Sequence, residues 1–220
     1  MEIIGHRGCA DQCPENTVAA VERAGRYVDA VEVDVRRCGS GELVVFHDEY
    51  VDELTDGTGR VADLTLAELR ALDVAGSGEP IPRLGAVLDA VPPGVGAQLE
   101  LKETGLAADV REVLADHSVD AAISSFQPAA LESVLNLDWS VQTGYLFAED
   151  PTANLQTAVE MGCDAVHPHY DLCIDTDVVE RAHGQGLNVI AWKAAKTSEE
   201  IADLRAAGVD GVTADRWDIA

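Results

Sequence analysis

Lysine and aromatic residues are scarce in this sequence, and no long uncharged apolar segment occurs. Lysine appears at Lys102, Lys193 and Lys196 only, and aromatic residues make up 5% of the 220 residues. No segment approaches the ~20 uncharged apolar residues of a membrane-spanning helix. Glu2 and His6 interrupt the amino-terminal stretch, where a signal peptide would carry a basic start and a long apolar run. We therefore expect a cytoplasmic protein without stable membrane anchoring.

Basic residues are few relative to acidic ones. The chain has 40 aspartates and glutamates against 15 lysines and arginines, a formal net charge of −25. Such a field repels nucleic acid and anionic membrane surfaces, so neither is an expected partner. An acidic, lysine-poor surface is typical of halophilic proteins, because concentrated salt screens the self-repulsion. An ordinary acidic enzyme of low-salt cells is the alternative.

The five cysteines include no Cys-x-x-Cys pair, which gives little support to a zinc site or a disulfide framework. Cys9 and Cys13 lie four residues apart, a spacing that admits a metal or redox pair. Reduced thiols explain them more simply.

Apolar strand-like segments alternate with helical patterns along almost the whole chain. With 47% hydrophobic residues, 220 residues can form one substantial core, so we expect a single domain over 1–220. The predicted strands are Ile3–Gly5, Ala30–Val35, Gly96–Leu101, Ala121–Ser124, Val141–Tyr145, Ala165–His167, Leu187–Trp192 and Gly211–Thr213. The helical patterns between them include Glu15–Tyr27, Ala107–Ala115, Pro128–Leu135, Thr152–Met161, Asp177–Ala182 and Ser198–Ala206. Eight strands alternating with helices predict an α/β fold, a (β/α)8 TIM barrel. A doubly wound sheet is the alternative, but no Gly-rich fingerprint follows the first strand.

Two segments depart from the alternation. Residues 47–82 combine a turn sequence (Asp56-Gly57-Thr58-Gly59), a short helical pattern and a Gly/Pro-rich exit. This pattern predicts a small subdomain inserted after strand 2, on the face where barrels keep their active sites. At the other end, only residues 214–220 follow the last predicted strand, which predicts a truncated or absent final helix.

Acidic residues stand on apolar strands in a way that predicts a metal site. Glu32 and Asp34 are two residues apart in a Val-rich strand, so their side chains share one face. Neighbouring acids in a buried strand repel each other and are costly to desolvate unless a cation neutralises them. With Glu100, at the end of another strand, they offer an all-oxygen ligand set. That set suits Mg²⁺ or Ca²⁺, with Mn²⁺ as a further candidate, rather than Zn²⁺.

Basic residues and histidines stand at the same strand ends. His6 and His47 are suited to act as acid and base near neutral pH. Arg7 can bind a phosphate through two N–H groups, and Lys102 adds a positive charge on the strand face that carries Glu100. Four further residues are candidates for the pocket lining, with structural roles as the alternative: Glu15, His167, His169 and Trp192. For Glu15 the simpler role is helix capping or loop bracing.

Several short passages carry a family likeness in their order and spacing. They are His6-Arg7-Gly8, Pro14-Glu15-Asn16-Thr17, Glu32-Val33-Asp34, His47-Asp48, Asp56-Gly57-Thr58-Gly59, Asp63-Leu64-Thr65-Leu66-Ala67-Glu68-Leu69, Ile81-Pro82, Glu100-Leu101-Lys102 and Gly208-Val209-Asp210-Gly211. Through them the chain resembles the glycerophosphodiester phosphodiesterase family along nearly its whole length. The resemblance implies a metal-dependent barrel hydrolase with a subdomain after strand 2. It also implies that one histidine deprotonates a nucleophile while the other protonates the departing alkoxide.

Two passages depart from the family pattern. Lys193-Ala194-Ala195 stands where the family usually has Thr-Val-Asn, and Glu53-Leu54-Thr55 stands in place of Arg-Thr-Thr. The proposed acid, base and metal ligands are unaffected. These departures bear on substrate preference rather than on the reaction.

The function that these residues predict is hydrolysis of a small glycerophosphodiester to an alcohol and glycerol phosphate, within lipid metabolism. A phospholipase D-like barrel acting on lipid phosphodiesters is one alternative, although such relatives lack the inserted subdomain. A non-catalytic barrel that binds a phosphorylated ligand is another, although it has no chemical need for both histidines and all three acids. The sequence leaves open the head group, the glycerol phosphate stereoisomer, the native metal, the assignment of acid and base, and the oligomeric state.

We predict that the melting temperature rises between dilute buffer and molar KCl. At ~0.01 M ionic strength the Debye length is ~30 Å, so carboxylates of a chain with net charge −25 repel one another across its surface. Molar KCl screens this repulsion and favours the folded state. A melting temperature measured by circular dichroism that does not change with KCl would refute the high-salt interpretation.

Overall fold

The central sheet of the computed structural model, which describes residues 1–194 and 197–219, is a closed barrel. In chain order the strands are β1 (Glu2–Gly5), β2 (Ala30–Arg37), β3 (Leu43–Val45), β4 (Gly96–Leu101), β5 (Ala121–Ser125), β6 (Gln142–Phe147), β7 (Ala165–Pro168), β8 (Asn188–Ala194) and β9 (Gly211–Ala214). All except β3 are parallel, and β1 pairs with both β2 and β9 to close eight of them into a ring. The predicted TIM barrel is confirmed.

Helices connect the barrel strands on the outside. They are α1 (Val18–Ala24), α2 (Leu66–Leu69), α3 (Leu84–Ala90), α4 (Ala107–Ala115), α5 (Pro128–Leu135), α6 (Pro151–Met161), α7 (Tyr170–Asp175), α8 (Val178–Gly184) and α9 (Ser198–Ala207). The sequence patterns for α4 and α5 coincide with the observed bounds, whereas α3 and α7 were not predicted. Within the described residues, no helix is both long enough and apolar enough to cross a membrane.

The main hydrophobic core lies between the barrel wall and the helices. On β2, Val31, Val33 and Val35 are at most 1% exposed and belong to this core. Burying each such side chain contributes roughly 1.5–3 kcal/mol. Because side chains alternate along a strand, the intervening Glu32 and Asp34 face the barrel interior. The packing of the valines thereby fixes where the two acids point.

The first helix begins later than the sequence pattern indicated. We expected a helix from Glu15, but α1 begins at Val18, and the Thr17 hydroxyl caps it by accepting the amide of Ala20 at 3.1 Å. Asn16 has a φ of 59°, a left-handed backbone conformation that cannot continue into a helix. Glu15 therefore lies in the loop before the helix and does not cap it.

The segment after β2 forms structure of its own. β3, which the sequence reading did not separate as a strand, pairs antiparallel with the end of β2, and a short 3₁₀ turn over Val61–Asp63 and α2 follow. A second cluster of buried residues holds this region together: Cys38, Val44, Phe46, Val51, Val61, Leu69, Val74 and Ile81. The cluster extends beyond residues 47–82 to Cys38, Val44 and Phe46, and the subdomain with those bounds stays a prediction.

Residues 215–219, which follow β9, pack against the segment after α1. Residues 215–219 form turns, in agreement with the expected truncated or absent final helix. Trp217 stacks on Tyr27 with ring centroids 5.1 Å apart, and Ile219 is buried. The five cysteines are free, and Cys9, Cys38, Cys163 and Cys173 are buried.

Candidate active site

Three carboxylates converge at the carboxyl ends of β2 and β4. Asp34 and Glu100 are register partners on the two strands, and Glu32 precedes Asp34 on the same face. Each of the three offers an oxygen within 4.8 Å of the others, and all three side chains are buried. Glu32 Oε1 and Asp34 Oδ1 accept no hydrogen bond among the described residues. Two orphaned oxygens in an all-carboxylate set fit a hard divalent ion.

The three acids perturb one another strongly. Burial, and then the adjacent charge of Asp34, raises the pKa of Glu32 to about 8. Burial and Asp34 likewise raise the pKa of Glu100. Burial also acts to raise the pKa of Asp34, but the charges of Lys102 and Arg7 outweigh it and leave that pKa below its usual value. Asp34 thus carries the fixed negative charge of the cluster.

Two cations border the carboxylates. Arg7 Nε lies 3.3 Å from Asp34 Oδ2, and the Arg7 amide donates to Glu32 Oε2 at 2.9 Å. Lys102 Nζ donates to Glu100 Oε1 at 2.5 Å and lies 3.4 Å from Asp34 Oδ1. The structure therefore brings both candidate phosphate-binding residues to the acidic cluster.

The loop after β1 holds Arg7 in a sharply turned backbone. Arg7 has a φ of 50°, and the following Gly8 has a φ of 76°. A Cβ on Gly8 would lie 2.8 Å from the Ala20 Cβ and 3.0 Å from its carbonyl carbon, so α1 approaches too closely for any other residue. The need for glycine after His6-Arg7 is thus steric as well as conformational.

Asn16 is a site residue that the sequence reading did not single out. Its Nδ2 donates to Asp34 Oδ2 at 2.8 Å, and its Oδ1 accepts the Asp34 amide at 3.2 Å. The side chain is 1% exposed. Asn16 orients Asp34 from two directions, and the only signal in the sequence was its place in the Pro14-Glu15-Asn16-Thr17 passage.

Each candidate catalytic histidine is held by an aspartate. Nδ1 of His6 lies 2.6 Å from Asp215 Oδ1, and Nδ1 of His47 lies 2.6 Å from Asp48 Oδ1. With the proton of Nδ1 engaged by a carboxylate, Nε2 is the nitrogen left for proton transfer. Burial lowers the pKa of His47. Burial also acts to lower that of His6, but the hydrogen bond to Asp215 and the charge of Glu32 raise it overall.

Two of the candidate pocket residues, His169 and Trp192, belong to a group of aromatic side chains at the carboxyl ends of β7 and β8. His169 packs edge-on against Trp192 with ring centroids 5.0 Å apart, and Phe126 also packs edge-on against Trp192 at 5.0 Å. Trp192 Nε1 donates to the carbonyl of Phe147 at 3.0 Å, which fixes the indole. The departure from the family pattern at Ala195 lies outside the described residues.

The other two candidates differ in location. Glu15 Oε1 accepts a hydrogen bond from Arg7 Nη1 at 2.9 Å, so Glu15 braces the loop beside the carboxylates. His167 lies within β7, is 4% exposed, and lines a cavity at the amino-terminal ends of the strands, opposite the carboxylates. Burial lowers the pKa of His167 to about 4.

Comparison with known proteins decides the family. The model of the glycerophosphoryl diester phosphodiesterase family matches residues 6–219. The chain belongs to this family. As a glycerophosphoryl diester phosphodiesterase family member it is an enzyme, a phosphoric diester hydrolase. The resemblance drawn from the sequence passages is confirmed.

Individual relatives agree across nearly the full length. A glycerophosphodiester phosphodiesterase of Caldanaerobacter subterraneus subsp. tengcongensis is 31% identical, over 97% of this chain and 93% of its own. A solved structure shows an Oleispira antarctica phosphodiesterase in complex with the product sn-glycerol-3-phosphate. Its sequence is 32% identical to this chain and its TM-score is 0.90, over 98% of this chain and 93% of that one. A glycerophosphodiester phosphodiesterase of Thermotoga maritima, 24% identical with a TM-score of 0.86 over 99% and 96% of the two chains, shares the fold.

The buried histidine gives a pH-dependent prediction. The pKa of His167 is about 4 in the folded chain against about 6.5 when unfolded, so the folded state binds fewer protons. The stability of the folded state that depends on a neutral His167 is fully present above pH 6.5 and is lost as the pH falls toward 4. We predict that the wild-type chain loses up to about 3 kcal/mol of stability over this range relative to His167→Gln. His183→Gln, which removes an exposed histidine, is the control. Equal acid sensitivity of wild type and His167→Gln in urea titrations would contradict the prediction.

Proposed function

We propose that this chain hydrolyses glycerophosphodiesters to an alcohol and glycerol phosphate, with His acid–base catalysis and a requirement for Mg²⁺, Ca²⁺ or Mn²⁺. The observation that carries the proposal is the buried convergence of Glu32, Asp34 and Glu100, in which one oxygen of Glu32 and one of Asp34 accept no hydrogen bond among the described residues. Arg7 and Lys102 offset part of the repulsion among the three carboxylates, and a divalent cation would offset the rest. The product named for the Oleispira antarctica relative supports glycerol phosphate as the product here.

The three carboxylates and the two basic side chains would act on the phosphate group of the substrate. A divalent ion held by Glu32, Asp34 and Glu100 would act as a Lewis acid toward the phosphate. Arg7 and Lys102, both beside Asp34, are placed to bind the remaining phosphate oxygens and to neutralise charge that builds up in the transition state.

The two histidines supply the proton transfers. One of His6 and His47 takes a proton from the attacking oxygen as a new P–O bond forms. The other gives a proton to the departing alkoxide as the original P–O bond breaks. Asp215 and Asp48 are positioning residues, since each holds the Nδ1 side of an imidazole and leaves Nε2 toward the reaction. Rescue of one histidine variant by a substrate with a p-nitrophenolate leaving group would identify the acid, and the other histidine would then be the base.

We also propose that residues 1–220 act as a single catalytic domain with residues 47–82 as an inserted subdomain, located in the cytoplasm of a salt-adapted cell. The inserted subdomain is supported by the second buried cluster, in which Val51, Val61, Leu69, Val74 and Ile81 pack together with residues from the end of β2 and from β3. The proposed location in a salt-adapted cell is supported by the net charge of −25.

We predict that chelation abolishes turnover and that Mg²⁺, Ca²⁺ or Mn²⁺ restores it. Glu100→Gln should weaken metal binding measured by calorimetry, because it removes one of three ligands. Glu132→Gln, an exposed position on α5, is the matched control and should bind metal as the wild type does. The assay should compare several head groups at low and high KCl. Full activity in exhaustively chelated enzyme would reject the metal requirement.

We predict that His6→Ala and His47→Ala each lower kcat by ~10²–10⁴, the usual contribution of general acid–base catalysis. Metal binding should persist, and the double variant should lose less than the product of the single losses, because both groups act in one mechanism. A substrate with a p-nitrophenolate leaving group needs little protonation, so it should rescue only the variant that lacks the acid.

The exposed His183 provides the matched control, and His183→Ala should keep wild-type turnover. Near-wild-type kcat in both His6→Ala and His47→Ala, with metal still bound, would show that neither histidine is the acid or the base and would leave both with structural roles.

A further inference from the structure

The backbone of His47 lies just outside the regular hydrogen bonding of the barrel. β3 ends at Val45, and residues 47–49 form bends. The other candidate histidine, His6, differs, because its carbonyl accepts the amide of Cys9 at 2.8 Å within its own turn. The position of His6 is thus fixed by contacts within its loop, whereas the carbonyl of His47 is held by a side chain from another element.

That side chain is Arg36, near the end of β2. Its Nε and Nη2 donate to the carbonyl oxygen of His47 at 2.9 and 2.7 Å. A carbonyl oxygen has two lone pairs and can accept both, and hydrogen bonds from a charged donor are stronger than those between neutral groups. The Arg36 side chain is 14% exposed, and its third nitrogen, Nη1, lies 4.0 Å from Glu103 Oε2. The planar guanidinium is therefore engaged through all three of its nitrogens.

Arg36 connects the turn of His47 to the carboxylate cluster. Side chains alternate along a strand, so Arg36 follows Glu32 and Asp34 on the same face of β2. The amide of Phe46, one residue before His47, donates to the carbonyl of Asp34 at 3.0 Å. Two contacts from β2 therefore fix the turn relative to the strand that carries two of the three candidate metal ligands.

We propose that Arg36 is a positioning residue for phosphodiester hydrolysis that acts through the backbone of His47, an inference that rests on the proposed acid–base role of this histidine. Asp48 holds the imidazole at Nδ1, and Arg36 holds the carbonyl, so the two contacts together set where Nε2 lies. Loss of the guanidinium frees the turn and moves Nε2 away from the reacting oxygen. Misplacement of a catalytic group by about 1 Å can lower the rate on the order of 10²-fold.

Steady-state kinetics of the metal-loaded Arg36→Met enzyme test the proposal. This change removes the donors and keeps an unbranched apolar stem. We expect kcat to fall on the order of 10²-fold. KM should change little, because Arg7 and Lys102 still bind the phosphate. In the His47→Ala background, Arg36→Met should cause no further loss, since the arginine acts through the histidine.

The dependence on the leaving group gives a second readout, which a general loosening of the barrel would not produce. With alkyl and p-nitrophenyl diesters compared, Arg36→Met should follow the pattern of His47→Ala and not that of His6→Ala. Arg36→Lys keeps the charge but not the planar pair of donors, so it should lose less kcat than Arg36→Met with the same pattern. If circular dichroism shows that Arg36→Met is unfolded, Arg36→Lys takes its place in every comparison.

The matched control is Arg37→Met, at the next residue of β2. Arg37 donates to the carbonyls of Gly41 and Gly105 at 3.1 and 2.9 Å and to Asp109 at 2.6 Å, so its loss removes a similar set of hydrogen bonds on the other face of the strand. Arg37→Met should keep wild-type kcat. An equal loss in the Arg36 and Arg37 variants would show a general disturbance of β2 and would overturn the proposal.

The remaining outcomes separate this proposal from the proposed function. Wild-type kcat in the Arg36 variant, or a further loss when it is added to His47→Ala, would overturn the role of Arg36 and leave the acid–base function in place. The leaving-group pattern of His6→Ala in the Arg36 variant would do the same. Wild-type kcat in His47→Ala would overturn the acid–base role of His47 and the role of Arg36 together.

Discussion

Three carboxylates that share a buried space at the carboxyl ends of β2 and β4 repel one another, and the nearby loops are arranged to offset that repulsion. Arg7 and Lys102 supply positive charge at 3.3 and 3.4 Å from Asp34, and Asn16 and the Arg7 amide donate hydrogen bonds to the acids. These contacts do not satisfy every oxygen, since Glu32 and Asp34 each keep one that accepts no hydrogen bond among the described residues. The repulsion that remains would favour a bound cation.

The barrel supplies the geometry that this arrangement needs. The parallel register of β2 and β4 sets Asp34 beside Glu100, and the valines of β2 anchor the strand from its outer side. Loops that leave the strand ends then add the other groups, so the ligands rest on rigid elements while Arg7 and His47 stand on turns. That division is common in TIM barrels, where the strands fix positions and the loops vary the chemistry.

Local patterns in the sequence predicted the strands of the barrel and the strand face that carries Glu32 and Asp34. They did not predict contacts between residues that are far apart in the sequence. Glu32 and Asp34 could be assigned to one strand face because strand periodicity is a local property. Asp215 could not be matched with His6, because the two are 209 residues apart and meet only when the barrel closes. Which end of the barrel His167 lines depends on strand register, which one sequence does not reveal. The start of α1 was placed too early because Glu15 resembles a first-turn acid, whereas the positive φ of Asn16 delays the helix.

The pairing of β1 with β9 makes the surroundings of His6 depend on a distant part of the sequence. During translation, β1 is made well before its hydrogen-bonded neighbour Gly211–Ala214 and before Asp215, which lies 209 residues after His6. A nascent chain can form the β2–β4 carboxylate pair early, yet His6 remains without Asp215 until the ring closes. Contacts of such long sequence separation form late in folding. The hydrogen bond that orients the His6 imidazole is therefore coupled to completion of the barrel, and a chain that has not yet formed β9 lacks it.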